Sequence, residues 1–211
     1  AGILLFKSSF TFSGLKKTAE GVAERLEKGD MAGARRLVSV HLVSRNTADL
    51  DVSEVTSATV ESVTENLTDS LVAPLLYFSL SGVPGALVFR FINTADAMLG
   101  YRKPDLEYLG KGAARLDDAA GFVPARLAGL LMVAAAWLRR ENARGAWKVM
   151  LQQHSRTASP NSGWTMSAAA GALDMGLEKK GHYKLGTVEG PLCAEHIYRA
   201  VGLVKTTYAL T

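Results

Sequence analysis

A single cysteine, Cys193, stands in the 211 residues. A disulfide framework and a cysteine-built zinc cage are therefore excluded, and the chain suits a reducing compartment. Charge is sparse too. Asp, Glu, Lys and Arg make up 21% of the chain, whereas disordered tails are highly charged and poor in apolar residues. The 24 basic and 20 acidic residues leave a net charge of +4, too small and too dispersed for a nucleic-acid partner. No GxxxxGKS or GxxxxGKT loop cradles a phosphate, and neither GxSxG nor HExxH occurs. The opening Ala1–Lys7 run lacks the charged start and small-residue cleavage site of a secretory signal, and reads as the end of a longer apolar helix. What is plentiful is apolar character, at 48% of residues with a mean hydropathy of +0.10, so a membrane enters from the start.

Two windows have membrane length. Ser70–Phe89 is twenty residues without a charge, and Ala119–Leu138 is twenty residues with Arg126 alone. About 20 apolar residues let a helix cross the hydrocarbon core. The first window is broken by Ser81-Gly82-Val83-Pro84, a helix stop followed by a proline start. The pattern predicts a helical hairpin, one arm over about 55–80 and the other over about 84–99. The bland alternative is a buried hairpin in a soluble helical protein.

Elsewhere the chain predicts further helices. Residues 15–43 place Leu15, Val22, Leu26, Ala34, Leu37 and Val38 at helical spacing among charges, and Gly29-Asp30 divides them into two amphipathic helices. Asn46–Val52 is a loop, with Ser53 as the N-cap of the hairpin's first arm. Tyr101–Gly112 is a polar connector. A third long helix runs over about 113–140 with a kink at Pro124. Thr157–Gly163 and Lys179–Pro191 are loops, the second with a short hairpin as its alternative, and Glu195–Tyr208 is a final helix. Lys and Arg number eight in residues 7–69 and five in 139–156, so their count does not orient the chain in a membrane.

The acids are the informative residues. Glu61, Glu65 and Asp69 recur at i, i+4 and i+8, on one helix face with Asn66 beside them. Like charges at that spacing destabilise a helix unless a cation lies between them. Asn93 and Asp96 share a face of the second arm. Asp69 lies thirteen residues before Gly82 and Asp96 fourteen after it, which sets both about 20 Å from the hairpin tip. Arg115, Asp117 and Asp118 precede the third helix's apolar window, and a short connector returns that window's start to the same end. Three acidic groups thus converge, in a pattern fit for Mg²⁺ bridging carboxylates and phosphate. The competing reading is a solvated helix end. Arg45, Arg90 and Arg126 sit beside or within apolar stretches, where guanidinium suits phosphate or carboxylate, or simply an ion pair. Of His182, Cys193 and His196, only the last two share a helix face, so zinc is not expected.

Four strings, VESVTENLTDSLVAP (Val60–Pro74), GVPGALVFRFINTADAMLGY (Gly82–Tyr101), ARLDDAAGFVPARL (Ala114–Leu127) and SPNSGWTMSAAAGAL (Ser159–Leu173), follow one another in the order found in a known family. With AEGVAERLEKGDMAGARRLVS and Arg45-Asn46-Thr47, the chain resembles adenosylcobinamide-phosphate synthase of the CobD/CbiB family over essentially all 211 residues. The family usually has aspartate where Asn46 stands and glycine where Ser70 stands. The resemblance implies an all-α, polytopic helical membrane protein, a multi-pass protein of the cell membrane, that forms one domain over 1–211 and begins after the family's first membrane helices. It implies ATP-dependent amide ligation of (R)-1-amino-2-propanol O-2-phosphate to adenosylcobyric acid, with Mg²⁺, with ATP as cosubstrate, and with other cobalamin-assembly membrane enzymes as partners. Glu61, Asp69, Asp96, Asp117 and Asp118 are expected to organise metal and phosphate, and Glu65, Asp69 and Asp96 to be catalytic, Glu65 as base. Asn66 and Asn93 are expected to orient substrate. Arg45, Arg115 and Arg126 would bind phosphate or propionate, with Asn161 and Gly163 completing the site.

Two rivals stand beside this. A non-catalytic membrane sensor related to β-lactamase-regulating inner-membrane proteins would tolerate loss of several acids, which this chain retains. A membrane prenyltransferase is recommended only by Asn93-Thr94-Ala95-Asp96, without the paired acidic motif such enzymes need.

Overall fold

Gly29 adopts φ 72° and ends helix α1 (Phe12–Glu27), and Asp30 caps α2 (Met31–His41) by accepting from the Gly33 N–H at 2.9 Å. This is the helix pair that the Gly-Asp break predicts. The computed structural model describes residues 12–99, 107–187 and 190–211; the Ala1–Lys7 run therefore lies outside the described residues. Ala19, Val22 and Ala23 of α1 and Ala34 and Val38 of α2 are fully buried, so the charged helices cover a shared apolar seam.

Helix α3 (Val52–Leu67) begins slightly earlier than expected, and its cap is Asp51 rather than Ser53. Asp51 Oδ1 accepts from the Glu54 N–H at 2.8 Å, and Glu54 Oε2 accepts from the Asp51 N–H at 2.9 Å. An acid followed three residues later by Glu satisfies two orphan donors at once, which a lone serine cannot do. Ser53 Oγ instead accepts from the Leu192 N–H at 3.1 Å.

A single π turn, Thr68–Val72, follows α3 and leads into α4 (Ala73–Leu99). The turn falls just before Pro74, which has no N–H to give, and the Ala73 N–H reaches back five residues to the Thr68 carbonyl. At Gly82 the backbone turns to φ 68°, ψ −155°, conformational space that glycine reaches readily. The two arms of the predicted hairpin meet there. A Cβ on Gly85 would lie 2.5 Å from the Tyr77 carbonyl oxygen, so the second arm starts where only glycine fits.

Helix α5 (Glu107–Leu138) starts earlier than expected and continues through Pro124. Of the expected Tyr101–Gly112 connector, residues 101–106 lie outside the described residues and the rest is helix. Pro124 deprives the Ala120 carbonyl of its usual donor. The Tyr77 hydroxyl takes that place at 2.9 Å, while its ring stacks on Phe89 with centroids 5.4 Å apart.

Helices α6 (Ala143–Gln153) and α7 (Ser162–Ala172) were not foreseen, and a short 3-10 turn, His154–Arg156, links them. Strands β1 (Leu177–Lys179) and β2 (Tyr183–Leu185) form the short hairpin, with Leu177 opposite Leu185. This pair is a small departure from an all-helical fold. Residues 188 and 189 of the expected loop lie outside the described residues. Helix α8 (Ala194–Leu210) closes the chain. Cys193 and His196 form its cap, with the Cys193 N–H donating to His196 Nδ1 at 3.2 Å. Among the described residues no three His, Cys, Asp or Glu side chains are grouped to hold a metal by themselves.

Two stretches, Val52–Leu99 and Gly110–Leu138, are long and apolar enough to cross a membrane, the first across its break at Gly82. Their apolar windows are only 28% and 44% buried, and Leu80, Val88, Phe91, Phe122, Leu130 and Trp137 stand exposed.

Candidate active site

Asp69 in the π turn, Asn93 and Asp96 on α4, and Asp117 and Asp118 on α5 line one cavity of about 460 Å³. The antiparallel arms do bring positions 69 and 93–96 together, as their equal distance from Gly82 predicts. Asn93 Nδ2 donates to Asp69 Oδ2 at 3.1 Å and to Asp117 Oδ1 at 3.3 Å, so one amide holds two carboxylates that would otherwise repel. Its oxygen accepts from Arg90 Nη1 at 3.4 Å. Arg90 thereby fixes which way the Asn93 amide points.

The third wall comes from the Ser159-Pro160-Asn161 loop. Ser159 Oγ donates to Asp118 Oδ1 at 3.1 Å, and Asn161 Nδ2 donates to the Asp118 carbonyl at 2.9 Å. A Cβ on Gly121 would meet that Nδ2 at 2.7 Å, so glycine at 121 admits Asn161 against α5. Two oxygens of these lining residues are buried without partners: Asn161 Oδ1 and the Thr68 hydroxyl. Each unsatisfied buried polar atom costs about 1–3 kcal/mol, a cost that a bound donor or cation would relieve.

Glu61 is placed differently. It is buried on α3, where Ser57 Oγ donates to Oε1 at 2.8 Å and the Tyr183 hydroxyl donates to Oε2 at 2.9 Å. Burial and the adjacent carboxylate push the Tyr183 phenol well above its usual range, so it remains protonated as a donor. Arg45 Nη2 stands 3.9 Å from Glu61. Arg45, Glu61 and Tyr183 line a second cavity of about 180 Å³ with Lys179. Glu65 and Asn66 line both cavities, and the Asn66 Nδ2 also donates to the Ser62 carbonyl at 2.9 Å. The acidic stripe at 61, 65 and 69 is therefore divided between two compartments.

Three expected contacts fall outside both cavities. Arg115 is exposed on α5. Arg126 lies over the Phe122 ring at 3.3 Å and the Trp164 ring at 4.8 Å, and donates to the Phe122 carbonyl at 2.6 Å. Gly163 is buried where a Cβ would overlap the His154 carbonyl, a packing position. Conversely, Thr68, Ser159, Ser162, Lys179 and Tyr183 line the cavities and were not singled out from the sequence. The string VESVTENLTDSLVAP contains Thr68 and SPNSG contains Ser159 and Ser162, while Lys179 and Tyr183 fall in no family string.

The fold and cavity define a helical protein with exposed apolar faces and an acceptor-rich polar pocket walled by three separate segments. The CobD/Cbib protein family matches residues 1–204, and the chain belongs to that family. It is 46% identical over 202 residues to the cobalamin biosynthesis protein CobD of Dehalococcoides mccartyi, covering 96% of this chain and 65% of that protein. It is 48% identical to the probable cobalamin biosynthesis protein CobD of Methanothermobacter thermautotrophicus, covering 87% and 61%, and 43% identical to that of Methanocaldococcus jannaschii, covering 87% and 59%. The chain thus spans about three fifths of the length of these relatives. No solved structure matches it.

Proposed function

We propose that this chain carries the acidic cavity of a membrane-embedded ligase in cobalamin assembly, joining (R)-1-amino-2-propanol O-2-phosphate to adenosylcobyric acid at the expense of ATP. The observation that carries the reading is the pair of unpartnered buried oxygens, the Thr68 hydroxyl and Asn161 Oδ1, on residues of a cavity already lined by four aspartates. Asn161 Oδ1 can only accept and the Thr68 hydroxyl can accept as well as donate, so beside four carboxylates they suit a cationic or hydrogen-rich ligand. The exposed apolar windows of α4 and α5 support a lipid setting, because the core helix of a soluble protein hides most of its surface.

A carboxylate resists amines until it carries a leaving group. The propionate of adenosylcobyric acid takes the terminal phosphoryl group of ATP, giving an acyl phosphate and ADP. The free amine then attacks the acyl carbon, the amide bond forms and inorganic phosphate departs. A base must first remove the ammonium proton, and we assign this to Glu65, supported by its lining both cavities. Asn66 and Asn93 present amides beside it for orientation.

The oxygen donors fit Mg²⁺. No three acids are grouped as a closed cage among the described residues, but Mg²⁺ is commonly held by one or two carboxylates with water and substrate phosphate. Asp69 and Asp117, held by the same amide, and Asp118 beside them, are the residues to hold it, where it would offset phosphate charge. Membranes bearing the full-length protein are expected to make the amide only with both substrates, Mg²⁺ and ATP. Turnover without ATP would overturn the acyl-phosphate route, and corrinoid binding without any turnover would favour a sensor.

A further inference from the structure

The smaller cavity on the far side of Glu65 and Asn66 differs from the aspartate cavity in setting cations beside acids. Its cations are Arg45 and Lys179, and its acids are Glu61 and Glu65. Glu61 does not saturate Arg45. Both Glu61 oxygens already accept short hydrogen bonds, from Ser57 and Tyr183, and the nearest guanidinium nitrogen stays 3.9 Å away. Arg45 Nε is buried with no partner at all. The side of a guanidinium formed by Nε–H and a neighbouring Nη–H is the fork that grips two oxygens of a phosphate or carboxylate. At about 180 Å³ the cavity is below the size of pockets that enclose a drug-sized molecule, so it suits a small anionic group and not a macrocycle.

From this juxtaposition we propose that the Arg45–Lys179 cavity is a phosphomonoester subsite, which holds the phosphate of the amino-alcohol substrate while its amine points past Glu65 and Asn66 toward the aspartates. The inference rests on the ligase reading for the identity of the substrate, but anion binding at Arg45 does not require turnover. A small zwitterion is thereby sorted end for end: phosphate to the guanidinium, amine to the carboxylates. The two groups that line both cavities, Glu65 and Asn66, then flank the reacting nitrogen.

The test uses the full-length protein in detergent, with inorganic phosphate as probe and no divalent metal, read by thermal shift and phosphorus NMR. Phosphate is expected to bind the wild type, Arg45→Gln to weaken it at least tenfold, and Arg45→Lys to restore part of the loss. Asp118→Asn, altered outside this cavity, should bind phosphate as the wild type does. Equal binding by Arg45→Gln, or loss in Asp118→Asn, would overturn the subsite. If Arg45→Gln fails to fold, Lys179→Gln serves: severalfold weaker binding supports the subsite and unchanged binding overturns it. In turnover, Arg45→Gln should raise KM for the amino-alcohol phosphate at least tenfold and leave KM for ATP within twofold. The reverse pattern would give the anion to the nucleotide and overturn the assignment. Phosphate binding at Arg45 in a protein without ligase activity would support the subsite and reject the reaction.

Discussion

Glu61 and Asp69 stand eight residues apart on one continuous run of helix, yet their surroundings are opposed. Glu61 is enclosed, and each oxygen has a donor, Ser57 on its own helix and Tyr183 from the β-hairpin. Asp69 shares the Asn93 amide with Asp117 and lines a cavity where two polar atoms of other lining residues have no partner among the described residues. Full satisfaction is what a structural carboxylate needs. Shared donors and orphaned oxygens describe a place completed by something else. Both are acids on one face of the same helical run; the partners separate them.

The largest expected effect tests the open side of that contrast. Asp69→Asn and Asp118→Asn in the full-length protein should lower turnover by roughly 100-fold or more, the scale on which a positioned reactive or charge-bearing group acts. Their melting temperatures should stay near the wild type, because removing one of several repelling carboxylates does not strand a partner. An inactive and unfolded pair would place these aspartates in the same structural class as Glu61. Active and stable variants would remove them from the site.

The enclosed side should respond in stability. Tyr183→Phe removes the donor to Glu61 Oε2 and leaves a buried carboxylate oxygen unsatisfied, at a cost of about 1–3 kcal/mol. A denaturation midpoint unchanged by that substitution would mean that Glu61 is not held as its hydrogen bonds indicate.

The hairpin was legible because its signals are local: Gly82 and Pro84 mark the turn, and counting residues from it sets Asp69 opposite the 93–96 segment. The meeting of three acidic segments was legible for the same reason. What resisted reading depended on distant partners. Nothing around Glu61 announces Tyr183, 122 positions away. Helix α7 was missed because SGWTMSAAAGA is buried from Gly163 to Ala172 apart from the half-exposed Trp164, so no apolar stripe alternates with a polar one. Its small residues serve close backbone approach: a Cβ on Gly171 would overlap the Gly145 carbonyl of α6. At Pro124 the helix continues, and the Ala120 carbonyl that the proline orphans is served by Tyr77 from another helix.

That last pairing gives a third, smaller effect. Tyr77→Phe should cost about 1 kcal/mol by leaving the Ala120 carbonyl without its donor. In a Pro124→Ala background the new N–H at 124 can serve that carbonyl, and Tyr77→Phe should then cost measurably less. The two single variants and the double variant form a cycle whose coupling isolates the interaction. Additive costs would show that Tyr77 contributes through its ring on Phe89 and not through its hydroxyl.

The smallest effect lies away from both carboxylate regions, in the turn that supports the Ser159–Asn161 wall. His154 stacks on Trp164 with ring centroids 4.2 Å apart. Desolvation by burial, and secondarily the Arg126 charge, lower its proton affinity below the ordinary imidazole value. The folded protein therefore holds His154 neutral where the unfolded chain, with a pKa of roughly 6.5, begins to take a proton. Proton uptake by the unfolded state lowers stability as pH falls. The contribution is full above that value and is lost progressively as pH drops from the unfolded toward the folded pKa. Melting temperature measured between pH 7.5 and 5.5 should thus decline slightly in the wild type. His154→Phe keeps the ring on Trp164 and removes the titration, so its decline over the same interval should be shallower. An equal slope in both proteins would assign the acid sensitivity elsewhere, while a steeper wild-type slope would tie the wall of the aspartate cavity to the protonation of this one side chain.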